Sequence, residues 1–192
     1  MSLSDLTQRI NESILLDFGS IFNNSIELFK KVWVQGFITL LFTFLALIPF
    51  YILLYAPMIA FGISDPEAMN SQELPPAVIL FMVLFMPIFF LGLMTVVLCL
   101  NAAFLRICRL KDLNEPGEES YFFYFKRDYL GKALILSLIM LGLSILGTLA
   151  CGLGIIYLMV PMSLFPAFLA FDKELKAMEI TKASFALGNK NW

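Results

Sequence analysis

Residues able to do chemistry are scarce in this chain, and their spacing argues against most of the chemistry they could do. The sequence contains no histidine, so the commonest transition-metal ligand and the commonest general base are both missing. No paired carboxylates, glycine-rich phosphate loop or serine-centred triad can be assembled from it. Cys99, Cys108 and Cys151 have neither zinc nor disulfide spacing and read as small packing residues. The acidic cluster Asp112, Glu115, Glu118 and Glu119 surrounds Pro116-Gly117. That is the pattern of a solvated turn, with cation binding as its other reading. Neither a catalytic residue nor a metal or cofactor site is expected, and an enzyme is the disfavoured class.

What remains is a thin polar inventory inside apolar surroundings. Asn101 is the one amide set deep in an apolar run, and Arg106 follows about one helical turn later. Asp172 stands at the corresponding end of a later run. Ionisable groups within membranes often mark function, but an arginine near a helix end can also snorkel to water. An Arg106–Asp172 contact or simple solvation is therefore the expectation.

These residues need elements to hold them, and composition says which. Of 192 residues, 60% are hydrophobic and 15% charged, against about half and a quarter in soluble domains. The excess lies in long uncharged stretches, the mark of membrane spans. The expected fold is a single all-α domain over residues 1–192, a polytopic transmembrane helical bundle with interfacial amphipathic helices. Four spans are predicted at about 34–56, 77–105, 133–150 and 155–171. The last two come from one run, Ala133 to Phe171, which as a single helix would reach roughly 58 Å, nearly twice the hydrocarbon thickness. Cys151-Gly152-Leu153-Gly154 offers the break. Pro49, Pro87, Pro161 and Pro166 are predicted to kink or break their helices. The last two could also free carbonyls to line a transport path. Ser137, Ser144, Thr148 and Cys151, with Gly147 beside them, give one face small enough for a neighbouring helix to approach.

Orientation follows from the 13 lysines and arginines. Arg9, Lys30 and Lys31 precede the first span. Arg106, Arg109, Lys111, Lys126, Arg127 and Lys132 separate the second and third. Lys173, Lys176, Lys182 and Lys190 follow the fourth. The two opposite loops have none. The positive-inside rule then places both termini in the cytoplasm of a bacterial inner membrane. Met1 to Phe18 lacks a basic stretch followed by an apolar core, so no cleavable signal peptide is expected. A net charge of −2 leaves no basic footprint for nucleic acid.

Three segments resemble one another: Ser25 to Trp33, Ser120 to Tyr129 and Ser184 to Trp192. Each runs from a serine through an apolar, aromatic stretch to basic or amide residues and then Trp or Tyr. Interfacial helices are predicted at about 20–33, 118–129 and 174–187, apolar face in the headgroup region and Lys or Arg toward phosphate. The first two precede a hairpin of two spans. A third copy at the end of the sequence predicts two further spans beyond Trp192.

The layout is similar to a poorly characterised bacterial family of polytopic inner-membrane proteins, including the membrane domain fused to some glycerophosphodiester phosphodiesterases. The stretches that carry the resemblance are Phe18-Gly19-Ser20-Ile21-Phe22 with Phe29-Lys30-Lys31, the proline-bearing Tyr157 to Phe171 running into Asp172-Lys173-Glu174-Leu175, and Ala177 to Trp192. The resemblance implies six spans and no established catalytic residues. Short chains of this kind sometimes carry the label β-carotene monooxygenase. Such oxygenases resemble histidine-dependent iron enzymes, whose ligands this sequence lacks. The expected function is a membrane scaffold or accessory protein acting on lipids or on a membrane-protein partner, homo-oligomer included. A small transporter or channel component and a lipid-modifying or oxidising enzyme are the alternatives.

Overall fold

Backbone in a bilayer must satisfy its own hydrogen bonds, and long apolar runs accordingly fold as helix. The computed structural model describes residues 3–12, 17–60, 76–149, 152–172 and 174–190. Its elements are α1 (Leu3–Glu12), α2 (Phe18–Ala60), α3 (Pro76–Asp112), one 3-10 turn (Phe123–Phe125), α4 (Arg127–Leu149), α5 (Leu153–Phe171) and α6 (Ala177–Lys190). The fold is all-α, with no strand among the described residues. Helices α2 to α5 are long and apolar enough to cross a membrane. The polar connection expected from Asp65 to Pro75 lies outside the described residues.

The core sits where α3, α4 and α5 pack against one another and α6 closes one end. Leu98, Cys99, Ala102 and Ala103 of α3, Ala133 and Leu136 of α4, Phe165 and Leu169 of α5, and Ile180 of α6 form one buried cluster. The small residues on α3 let the neighbouring backbones come close, the usual basis of helix association in lipid. Helix α2 is different. Among the described residues the only helix it packs against is α3. In its most apolar stretch 6% of residues are buried, against 28% in α5, so α2 is a peripheral arm attached along one side.

Gly152 makes the α4–α5 turn. Its φ of 79° is the left-handed region that glycine enters without strain, and its carbonyl accepts from the Ile155 amide at 3.0 Å. The break expected in the long third run is therefore present, though Cys151 itself is outside the described residues.

Other expectations need correction. Pro49, Pro87, Pro161 and Pro166 do not break their helices: all four lie inside continuous helix. Each proline removes one backbone donor, a loss a long helix tolerates when local adjustment and neighbours re-satisfy the carbonyl. The segment 20–33 is no separate interfacial helix; it is the first part of α2, because nothing between Gly19 and Gly36 disfavours helix. At 43 residues α2 would reach about 64 Å, well beyond the hydrocarbon core. Its polar end, with Asn23, Asn24, Glu27 and Lys30, extends past the apolar part.

The segment 118–129 is not an amphipathic helix either. After α3, Asn114 takes φ 49° and the Glu115 amide bonds back to the Leu110 carbonyl at 3.1 Å. This left-handed cap ends the helix before Pro116. The aromatic stretch that follows turns inward, with Tyr124 only 1% exposed.

Residues 177–190 are helical as expected, and Ile180, Ala183 and Ser184 share the buried face. That face covers α5 and α4 rather than lipid headgroups. Lys176 marks its start, the Lys176 amide donating to Glu179 Oε2 at 2.8 Å, one half of a capping box. The three similar segments thus adopt three different local structures. Helix α1 escaped the sequence reading, although Leu3, Leu6 and Ile10 recur at helical spacing. It packs against α6, and Lys190 Nζ donates to the Ile10 carbonyl.

An open cleft on α3 as the candidate functional site

Helix α3 has two unlike faces. Cys99, Ala102, Ala103 and Ile107 are completely buried on one. On the other, Asn101, Leu105, Cys108 and Asp112 recur every three or four residues, which stacks them in one stripe along the helix. That stripe is the floor of a cleft with α2 on one side and α5 on the other. Three adjoining cavities make it up. The largest, about 720 Å³, lies between α3, α4 and α5. A second of about 660 Å³ lies toward the charged end between α2 and α3, reaching Phe171. A third of about 310 Å³ lies beneath α2. Phe104 borders all three, and Asn101 borders the first and third.

The cleft is apolar almost throughout. Met94, Met140, Met159 and Met162 line the large cavity, and its polar groups are Asn101, Ser144 and Ser163. Ser163 Oγ is satisfied by the Val160 carbonyl at 2.8 Å. Thr39 and Thr43, in the small cavity, bond back to Gln35 and Thr39 carbonyls at 2.8 and 2.9 Å. Asn101 stands apart: its amide is exposed to the cleft and has no hydrogen-bond partner among the described residues. An amide offers two donors and an acceptor, and leaving them unanswered in an apolar setting is costly.

Arg106 and Asp172, the other two polar residues singled out, are not brought together. Arg106 Nη1 donates to the Glu118 carbonyl at 2.9 Å, and its guanidinium lies 4.1 Å above the Phe123 ring. Asp172 Oδ1 accepts from the amides of Glu174 and Leu175 at 2.9 and 3.2 Å. An arginine stacked on a ring and a carboxylate holding a turn are both structural uses. Of the prolines, Pro166 lines the cleft. Pro161 is fully buried, facing Gly188 of α6, where a Cβ would stand 3.2 Å from its Cγ.

The acidic turn answers to the protein's own cations. Asp112 pairs with Lys31 at 3.2 Å, Glu115 with Arg109 at 3.3 Å, and Glu119 with Lys111. Glu119 also accepts from Gln35 Nε2 at 3.3 Å. These contacts tie α2 to the end of α3 and the loop after it. The Lys111 hydrogen bond, aided by Gln35, holds the Glu119 carboxyl below the usual carboxylate range, against the upward push of burial. A carboxyl held low contributes fully above its ordinary pKa and loses that contribution as pH falls through the lowered value. The contribution of this contact to thermal stability in mild detergent should therefore be lost on acidification below the ordinary carboxylate range. Glu119→Gln should remove that dependence, with an energetic effect of no more than about 1 kcal/mol for so exposed a pair.

Fold and cleft together define a class: an all-α, multi-pass membrane protein with a peripheral first span and an open lateral groove. The chain has no significant match to any protein-family model, curated protein or solved structure.

Proposed function

We propose that this chain is a scaffold or accessory protein of a bacterial inner membrane that uses the α3 cleft to hold a lipid or a partner's membrane helix. The observation that carries the reading is that, among the described residues, the only helix α2 packs against is α3. That arrangement leaves a groove open to the bilayer, with one unanswered amide at its floor. A small transporter would need a continuous polar path. The large cavity offers Asn101, Ser144 and Ser163 amid apolar side chains, which suits holding rather than conduction. Reconstituted into liposomes, the protein should neither move solutes nor alter lipids; flux or lipid turnover would overturn the proposal.

The orientation belongs to the same reading. Lys31, Arg106, Arg109, Lys111 and Lys126 gather at the end shared by the N-terminal part of α2 and the C-terminal part of α3. That supports a cytoplasmic placement of this end and of both termini. Cysteines introduced between Asp65 and Glu73 should react with a membrane-impermeant maleimide added from outside. Labelling only after permeabilisation would reverse the orientation.

A further inference from the structure

The cleft changes character along its length in the order that a phospholipid does. At the charged end its lining includes one cation, Arg109, and one anion, Asp112, above an apolar floor of Phe104, Leu105 and Cys108. Each is half-exposed and uses part of its capacity, Arg109 on Glu115 and Asp112 on Lys31. A guanidinium has five donors and a carboxylate about four acceptor sites, so both retain room for a ligand. Asn101 follows on the same stripe as Asp112, about 16 Å further in along the helix and about 12 Å in from Arg109. Beyond it the cavity is lined by methionines, unbranched and adaptable side chains that conform to irregular apolar shapes.

Resting on the accessory reading above, we infer that the cleft binds one zwitterionic glycerophospholipid of the leaflet at the charged end. Arg109 meets its phosphate, Asp112 its ammonium group, and the Asn101 amide an ester carbonyl, while an acyl chain lies along Met94, Met140, Met159 and Met162. The paired opposite charges are what select the headgroup. An anionic lipid would place its net charge beside Asp112, and an entering protein helix would have no use for a dipolar rim followed by a single amide. Asp112 and Asn101 lie on one stripe about 16 Å apart, a span that one lipid covers when its headgroup and glycerol are extended along the helix.

The test is native mass spectrometry of the full chain released from nanodiscs containing phosphatidylethanolamine and phosphatidylglycerol in equal amounts. One phosphatidylethanolamine should be retained per chain, at least tenfold over phosphatidylglycerol. Asn101→Leu, a change at an exposed position, should reduce retention about tenfold. Asp112→Asn should abolish the headgroup preference while the helical circular dichroism stays unchanged. Equal or preferred retention of phosphatidylglycerol would overturn the headgroup assignment. A photo-crosslinker at position 163 that captured a second copy or another membrane protein instead of lipid would overturn the lipid and leave the accessory reading standing. Solute flux or lipid turnover would remove the accessory reading itself.

Discussion

Tyr124→Ala should lower the stability of the folded protein by about 3–5 kcal/mol, the range for deleting a fully buried aromatic side chain. Tyr124 is 1% exposed, packed edge-on against Phe123 and Tyr129 at centroid distances of 5.2 and 5.4 Å. Its hydroxyl donates to the Ala170 carbonyl at 3.3 Å, one of the carbonyls in the last turn of α5 that have no partner within the helix. Its own carbonyl lies 3.6 Å from the Cys99 thiol of α3. Through its side chain and its carbonyl, this one residue therefore joins the interior of α3, the start of α4 and the end of α5. Tyr124→Phe keeps the packing, loses the hydroxyl, and should cost about 1 kcal/mol. Burial pushes the Tyr124 hydroxyl up from 10.0 to about 12, so it stays a neutral donor through the working range. For an acid with a raised pKa, stability is complete below the unfolded value and falls as pH rises from 10 toward 12. Thermal unfolding in mild detergent, followed by near-ultraviolet dichroism, should show this alkaline loss in the native protein and a smaller one in Tyr124→Phe. A Tyr124→Ala variant within 1 kcal/mol of the native protein would remove Tyr124 from the core described above.

The same residue shows where the sequence stops being readable. Tyr121 to Phe125 has the composition of an interfacial aromatic belt, and composition cannot distinguish a ring in the headgroups from a ring turned under a loop. The turn inward depends on where α5 ends, a contact 46 positions away. The apolar helices, by contrast, were legible because uncharged length has few other meanings. The α4–α5 break was legible because Gly152 occupies a backbone region other residues avoid.

Asn101 was legible as an oddity, an amide in an apolar run, but its setting was not. That α3 is the only helix α2 packs against among the described residues depends on which faces pair: the contact is made along a short stripe of small residues, Gly36, Thr39 and Thr43, beside a large apolar surface that stays exposed. Arg106 and Asp172 were matched in depth, yet each found a nearer partner: for Arg106 a carbonyl and a ring of the loop that follows its own helix, for Asp172 two backbone amides within three residues. Local partners of this kind are more accessible to a side chain than an opposite charge on another helix, which is why pairing by depth misleads.

Gly147→Leu should open the α4–α5 hairpin, with a loss of at least about 3 kcal/mol, at the upper end of overpacking. Gly147 is buried. A Cβ there would stand 3.1 Å from the backbone nitrogen of Ile155 and from Leu158 Cδ1. The Leu158 methyl can rotate away. The Ile155 nitrogen cannot, because it is fixed in the first turn of α5 by its bond to Gly152. Even Gly147→Ala should therefore destabilise, although alanine is the better helix former by about 1 kcal/mol. Gly142, on the same helix, supplies the control. It is exposed and nothing lies within 4 Å of where its Cβ would be, so Gly142→Ala should be neutral or stabilise by up to about 1 kcal/mol. Opposite signs for one chemical change, five residues apart, would show that close approach of α4 and α5 decides the outcome. Equal effects at both positions in an unfolding titration would mean that helix propensity does, and that α4 and α5 are not held together at Gly147.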